Sequence, residues 1–223
     1  MTKIKICGLM SFDDINYVNE ALPDYIGFVF AESKRRVTVE QAKQLKARLA
    51  RRIQAVGVFV NEDINKIKML VDEKIIDAVQ LHGDEDDAYV KNVKRFNVPV
   101  IKAIRVKTTV AAFIEHEHAM LNSDALCQAG CEVNAQTPAD FILFDTYKSG
   151  QYGGTGERFD WSLCKQCKQP FFLAGGLNAG NIAEAITTTA PYCVDISGGV
   201  ETGGKKDRNK ILEIVNLVKR FNY

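Results

Sequence analysis

The chain has 223 residues, with 29 Lys and Arg against 28 Asp and Glu, a formal net charge of +1. At 46% hydrophobic and 26% charged it has the composition of a globular chain. The near balance of charge argues against nucleic acid or an anionic membrane as partner, since both demand a concentrated positive field. A small anionic ligand needs only one local site and stays open.

The longest apolar runs, such as Ala55–Val60, fall far short of the ~20 residues of a bilayer-spanning helix. The first residues, Met1 to Gly8 followed by Asp13 and Asp14, lack the apolar stretch of a secretion signal. Six cysteines are too few for a disulfide scaffold at this length and read as free thiols. The expected location is therefore the cytoplasm.

Taken in order, short β-branched and aromatic runs alternate with longer segments of helical period. The predicted strands are Ile4–Cys7, Tyr25–Phe30, Gln54–Val60, Ala78–His82, Val98–Arg105, Phe141–Thr146, Phe171–Gly175 and Cys193–Ser197. Most are apolar almost throughout, as strands buried on both faces must be. Between them, Ser11 caps a helix to Leu22, Thr38 caps Val39–Ala50 and Asn61 caps Glu62–Lys74. Further segments run from Asp84 to Phe96 and from Thr108 to Leu121. Asp160 precedes Trp161–Lys168, Asn178 precedes Ala179–Thr188, and Asp207 precedes Arg208–Phe221. In the last helix Ile211, Ile214, Val215 and Val218 form the apolar face.

Strand–helix alternation demands parallel pairing through crossover helices. Eight units at this length predict an α/β fold, a single-domain (β/α)8 TIM barrel over residues 1–223. An open doubly wound sheet is the competing arrangement, and it does not require eight units. One stretch, Ser123 to Ala139, breaks the rhythm as an irregular insertion before the sixth strand.

The active site of such a barrel lies at the C-terminal ends of its strands. There the sequence carries Cys7-Gly8, Ser33-Lys34-Arg35-Arg36, His82-Gly83, Arg105, Asp145, Gly175-Gly176 and Asp195 to Gly199. The glycine turns after strands seven and eight read either as tight turns needing positive φ or as phosphate cradles of backbone N–H groups. Cys7 reads either as a small buried apolar residue or as a nucleophile or base, if its pKa is lowered; Lys5 shares its side of the strand and supplies a nearby cation. Asp145 reads either as a loop hydrogen-bond acceptor or as a general acid kept protonated by burial. Cys164 and Cys167 form a C-x-x-C, with Cys127 and Cys131 as a second pair. Neither pair sits at a strand end, which disfavours a metal or redox role. His116 and His118, two apart on one predicted helix, point to different faces.

At these residues the sequence resembles the phosphoribosylanthranilate isomerase family. The matching words are Lys5-Ile6-Cys7-Gly8, Gly27 to Phe30 with Ser33 to Arg35, Val56 to Asn61, Val79 to Gly83 and Phe144-Asp145-Thr146. They continue with Gly153 to Gly156, Phe159 to Trp161, Leu173 to Asn178 and Val194 through Glu201 to Asp207. The resemblance implies an Amadori rearrangement of a phosphorylated aminosugar in tryptophan biosynthesis, with no cofactor and no metal, by a monomer or homodimer. It implies Cys7 as general base and Asp145 as general acid. It further implies Arg35 (or Arg36, should the alignment slip) at the anthranilate carboxylate, and His82, Asp195 and Gly154 as substrate-lining residues. Gly175, Gly176, Ser197, Gly198 and Gly199 fall on the phosphate side. The chain departs from the family pattern where Ser197 is followed by Gly198 rather than by a second serine.

Overall fold

A computed structural model describes residues 1–106, 137–146, 160–161, 164 and 167–221. The predicted helix from Thr108 to Leu121, most of the stretch from Ser123 to Ala139, and Gly153 to Gly156 lie outside the described residues. Eight strands close into a barrel in sequence order. They are β1 (Lys3–Cys7), β2 (Tyr25–Val29), β3 (Gln54–Phe59), β4 (Ala78–Leu81), β5 (Val100–Val106), β6 (Phe141–Thr146), β7 (Phe171–Leu173) and β8 (Cys193–Ile196). Every neighbouring pair is parallel, and β8 returns to β1 with Asp195 opposite Lys5.

The described helices are α1 (Phe12–Ala21), α2 (Val39–Arg48), α3 (Ile64–Asp72), α4 (Asp87–Lys94), α5 (Ile182–Thr189) and α6 (Arg208–Arg220). A small hairpin, β9 (Glu201–Thr202) with β10 (Lys205–Lys206), precedes α6. Capping chemistry sets several starts. Ser11 and Asp14 form a reciprocal capping box on α1, as Thr38 and Gln41 do on α2. The Asp207 carboxylate accepts from the N–H groups of Asn209 and Lys210 at the start of α6.

Three helix starts differ from expectation. Asn61 does not cap α3; it sits at φ 48°, and its side-chain oxygen accepts from the Asp84 N–H, while Asp63 caps the helix. The segment expected from Asp84 becomes helical only at Asp87, capped by Asp86. Asn178 braces a loop, and the chain becomes helical only at Ile182. Asparagine stabilises left-handed and looped backbone as readily as helix starts, so its position alone is ambiguous. On the strand side, β5 begins at Val100 rather than Val98, because Pro99 has no N–H to give the ladder.

Two apolar layers hold the barrel. Outward strand residues such as Ile6, Phe28, Phe59 and Phe144 pack with Ile15, Val18, Ile67 and the α6 stripe Ile211, Ile214, Val215 and Val218. Each such side chain contributes about 1.5–3 kcal/mol on burial. Inward residues Tyr25, Val56, Ile101, Leu143, Phe172 and Cys193 fill the lower barrel. The upper interior, among the described residues, is built largely from polar groups, and it opens at the strands' C-terminal ends.

Candidate active site

Strand side chains alternate in and out with a period of two. On β1 this aligns Lys5 and Cys7, on β4 Gln80 with His82 just beyond, on β6 Asp145, and on β8 Asp195 with Ser197 beyond. A cavity of about 380 Å3 opens over them. Cys7, Arg35, His82, Asp145, Gly175, Gly176, Asp195, Ser197, Gly198 and Gly199 all line it. Gly154 lies outside the described residues.

The thiol side is built by β1 and its neighbours. A Cβ at Gly27, directly opposite Cys7 on β2, would stand 2.6 Å from the Cys7 sulfur. Glycine at 27 is therefore what makes room for the thiol. Lys5 is fully buried and donates to Asp195 Oδ2 at 2.7 Å and Gln80 Oε1 at 2.8 Å. Burial works against its charge, but the Asp195 carboxylate and the Cys7 thiol outweigh burial, so the ammonium is held more firmly than usual. Burial also pushes the Cys7 thiol up, and Asp195 adds to that; Lys5 and Lys206 pull the other way without overcoming it. The condition that Lys5 lowers this thiol is therefore not met, although Lys5 is the nearby cation that its place on the strand allowed. Lys5 does act on the sulfur, but burial, helped by Asp195, outweighs it.

The carboxyl side is built by β4 and β6. Asp145 accepts from the Thr146 N–H through Oδ1 at 2.8 Å. Its Oδ2 lies 3.4 Å from His82 Nε2, in contact but outside hydrogen-bonding geometry, so His82 Nε2 is buried with no hydrogen-bond partner among the described residues. Nδ1 of the same ring pairs with the Gln80 amide nitrogen at 2.8 Å. Asp195 Oδ1 is likewise buried without such a partner among the described residues. Both atoms belong to residues that line the cavity.

Arg35 reaches the cavity from the loop after β2, threading past Gly8. Gly8 sits at φ 80°, and a Cβ there would meet the Arg35 Cδ at 2.4 Å. Two of the five guanidinium donors are already used, Nε and Nη2 binding Glu201 at 2.7 and 2.9 Å. Lys206 on β10 donates to the same Glu201 Oε1 at 2.9 Å and to the Ser197 carbonyl at 2.9 Å. Burial alone would raise the Glu201 carboxyl; Arg35 and Lys206 overcome it and hold the group at about 2. The neighbouring Arg36 is exposed.

The glycine turns divide by cause. Gly175 and Gly176 take φ of 88° and 65°, the left-handed region that favours glycine. Gly199 instead answers a close approach, since a Cβ there would fall 1.9 Å from the Leu177 carbonyl oxygen. That contact seats the loop after β8 against the loop after β7. Asn178 and Asn181 brace the latter, each donating to the Gly176 carbonyl. Gly198, by contrast, is roomy, with the Arg35 Nη2 at 3.8 Å from where its Cβ would stand.

Neither Cys164 nor Cys167 lines this cavity. Trp161 and Cys164 lie in 3-10 turns, and Cys167 lies outside any helix, contrary to the continuous helix expected from Trp161 to Lys168. Cys167 ends near Pro170, whose ring disfavours helix in the residue before it, and its thiol donates to the Gln169 carbonyl. Cys164 and Cys167 are both free, and burial pushes Cys164 up to about 12. Cys127 and Cys131, with His116 and His118, lie outside the described residues. Among the described residues no cluster of His, Cys, Asp and Glu could hold a metal ion, and no helix is long and apolar enough to cross a membrane.

Gln80, Glu201 and Lys206 were not expected from the sequence. Gln80 had a faint signal, as the one polar residue in the run Ala78 to Leu81.

A closed parallel barrel with a thiol, a carboxyl and two glycine turns around one mouth has the layout of a (β/α)8 enzyme. The family model described as N-(5'phosphoribosyl)anthranilate (PRA) isomerase matches residues 4–217. The N-(5'-phosphoribosyl)anthranilate isomerase of Endomicrobium trichonymphae is 49% identical over 220 residues, covering 98% of this chain and 99% of that protein. The crystal structure of the Thermotoga maritima phosphoribosyl anthranilate isomerase superposes with a TM-score of 0.78 at 34% identity, over 99% of this chain and 100% of that one. A phosphoribosyl anthranilate isomerase solved with reduced 1-(o-carboxyphenylamino)-1-deoxyribulose 5-phosphate superposes with a TM-score of 0.75 at 31% identity, over 99% and 100% of the two chains. The chain belongs to the N-(5'-phosphoribosyl)anthranilate isomerase family.

Proposed function

We propose that this chain converts N-(5-phosphoribosyl)anthranilate into 1-(2-carboxyphenylamino)-1-deoxy-D-ribulose 5-phosphate, an Amadori step in tryptophan biosynthesis. We further propose one barrel domain over 1–223, with the enlarged connection near 123–139 leading into β6. The observation that carries the reading is that Cys7 on β1 and Asp145 on β6 line the same cavity.

The chemistry follows from the groups around that cavity. Asp145, protonated, gives its proton to the furanose ring oxygen, and the ring opens to a Schiff base. The cationic nitrogen acidifies the C2 hydrogen, which the Cys7 thiolate removes to leave an enolamine. Tautomerisation of the enolamine gives the ketone. The substrate is its own electron sink, so the protein's task is proton transfer and positioning. A thiol held up by burial is a strong base once ionised, and Lys5 and Lys206 supply the positive field in which it ionises.

The rest of the cavity orients the substrate. Arg35 retains donors for the anthranilate carboxylate while Glu201 fixes its plane. The buried, unpartnered Asp195 oxygen suits a sugar hydroxyl. Gly175, Gly176, Gly198 and Gly199 serve the phosphate through backbone N–H groups approached without a Cβ in the way, Ser197 adds its own N–H, and Gly154 lines the substrate.

The test is the loss of anthranilate fluorescence on mixing the protein with freshly prepared phosphoribosylanthranilate. Turnover by the natural chain, abolished in Cys7→Ala and in Asp145→Ala with the fold intact, is the expected result. Near-normal turnover in both variants would overturn the assigned roles.

A further inference from the structure

A string of side chains crosses the upper barrel from the thiol side to the carboxyl side, and its hydrogen bonds have a forced direction. The Lys5 ammonium is a donor only. It donates to Gln80 at 2.8 Å, so the atom facing it must be the amide oxygen. The other end of that amide, 2.8 Å from His82 Nδ1, must then be the NH2 group, which is again a donor. His82 Nδ1 can therefore only accept, and the ring's one proton lies on Nε2. Protonating Nδ1 would set two donors face to face inside a buried layer, where an unmet polar group is costly. Lys5 cannot turn aside to relieve this, because it is fully buried and tied to Asp195 at 2.7 Å.

We infer that Gln80 is a positioning residue: gripped by Lys5, it locks His82 as the neutral Nε2–H tautomer and aims that N–H at the oxygen on which Asp145 acts. His82 Nε2 and Asp145 Oδ2 are 3.4 Å apart, so one substrate oxygen can touch both. The inference rests on the proposed isomerase reading for its purpose, though the tautomer itself does not. Before ring opening the N–H holds the ring oxygen in place. After Asp145 has given up its proton, the same group lies 3.4 Å from the new carboxylate, and a small turn of the ring lets it donate there. A neutral donor does both without becoming a second acid that competes with Asp145. The usual outer partner of a functional histidine is a carboxylate or carbonyl that accepts from the ring. Here the partner donates, which selects the opposite tautomer.

Nitrogen-15 NMR of the full-length protein reads the tautomer directly. The chain has three histidines, and His82 is assigned by the signal lost in His82→Asn. At neutral pH the expected pattern is a pyridine-type Nδ1 and a pyrrole-type Nε2. A pyrrole-type Nδ1, or an imidazolium, in the natural protein overturns the inference. Gln80→Glu keeps the size and still accepts from Lys5, but it cannot donate. In that variant the His82 Nδ1 is expected to become protonated, with kcat falling about tenfold, the scale of one lost buried hydrogen bond. An unchanged tautomer or an unchanged kcat in folded Gln80→Glu overturns the role given to Gln80. If the expected tautomer appears but phosphoribosylanthranilate is not turned over, the reaction is misassigned and the lock stands.

Discussion

The lower and upper halves of the barrel interior are made by the same strands with the same inward parity, yet they share almost no chemistry. On β6 the step from Leu143 to Asp145 covers two residues, ~7 Å of strand, and passes from hydrocarbon to carboxyl. On β4 Ala78 gives way to Gln80 and His82, and on β8 Cys193 gives way to Asp195 and Ser197. Below, the rings of Phe141, Phe172 and Tyr192 pack edge-on or tilted, with centroids 4.6 to 5.7 Å apart, and Tyr25 lies against Phe172. Above, buried charges are paired or directed at the cavity. Height along a strand, rather than strand identity, decides whether an inward residue holds the barrel together or serves the reaction.

The largest expected effect would break this division if it failed. Cys7→Ser and Asp145→Asn each lower kcat about 10²- to 10⁴-fold, the usual contribution of a general acid or base, with little change in the urea midpoint. A large loss of stability in either variant would mean that the mouth also holds the barrel. The converse is Phe172→Ala in the lower layer, expected to cost about 3–5 kcal/mol of stability. Urea unfolding measures that cost. Turnover per folded molecule should stay near the natural value, and a matching fall in kcat would erase the contrast between the layers.

The lower half was also the more legible. All eight strands were readable because burial on both faces leaves a continuous apolar run, and their edges moved by only one or two residues, with Pro99 accounting for the start of β5. The roster of residues at the mouth was readable too, since a carboxyl or thiol ending an oily strand is conspicuous. The wiring between those residues was not. Lys5 meets Asp195 across 190 residues and Arg35 meets Glu201 across 166, and no local pattern encodes such pairs. For that reason Gln80, Glu201 and Lys206 were passed over, and Lys5 was placed near Cys7 without its ion pair to Asp195. The helix starts at Asn61 and Asn178 failed differently, through a side chain that suits two backbones equally well.

A smaller effect sharpens the comparison through pH. Because burial raises the Cys7 thiol, most of it is protonated at neutral pH, and a base must be deprotonated to act. The rate at which iodoacetamide alkylates Cys7 reads that ionisation without involving Asp145, and is therefore expected to rise about tenfold per pH unit and to keep rising past the point where an ordinary thiol, with a pKa of about 8.5, levels off. An alkylation rate that levels off below that point would show that Lys5 and Lys206 outweigh burial at the thiol.

The smallest effect concerns the rim, where Glu201 ties Arg35 to the β9–β10 hairpin. Its carboxyl is held at about 2 against an ordinary value of 4.5. The unfolded chain thus binds a proton there that the folded chain refuses. The ion pairs therefore contribute their full stability above about 4.5, and lose it progressively as pH falls towards 2. Urea midpoints taken from neutrality down through this window should fall more steeply for the natural chain than for Glu201→Gln, which has no such proton to gain. Parallel slopes would mean that Glu201 orients Arg35 without stabilising the fold. That outcome would move the residue from the structural side of the comparison to the functional side, leaving a higher KM as its expected signature in the variant.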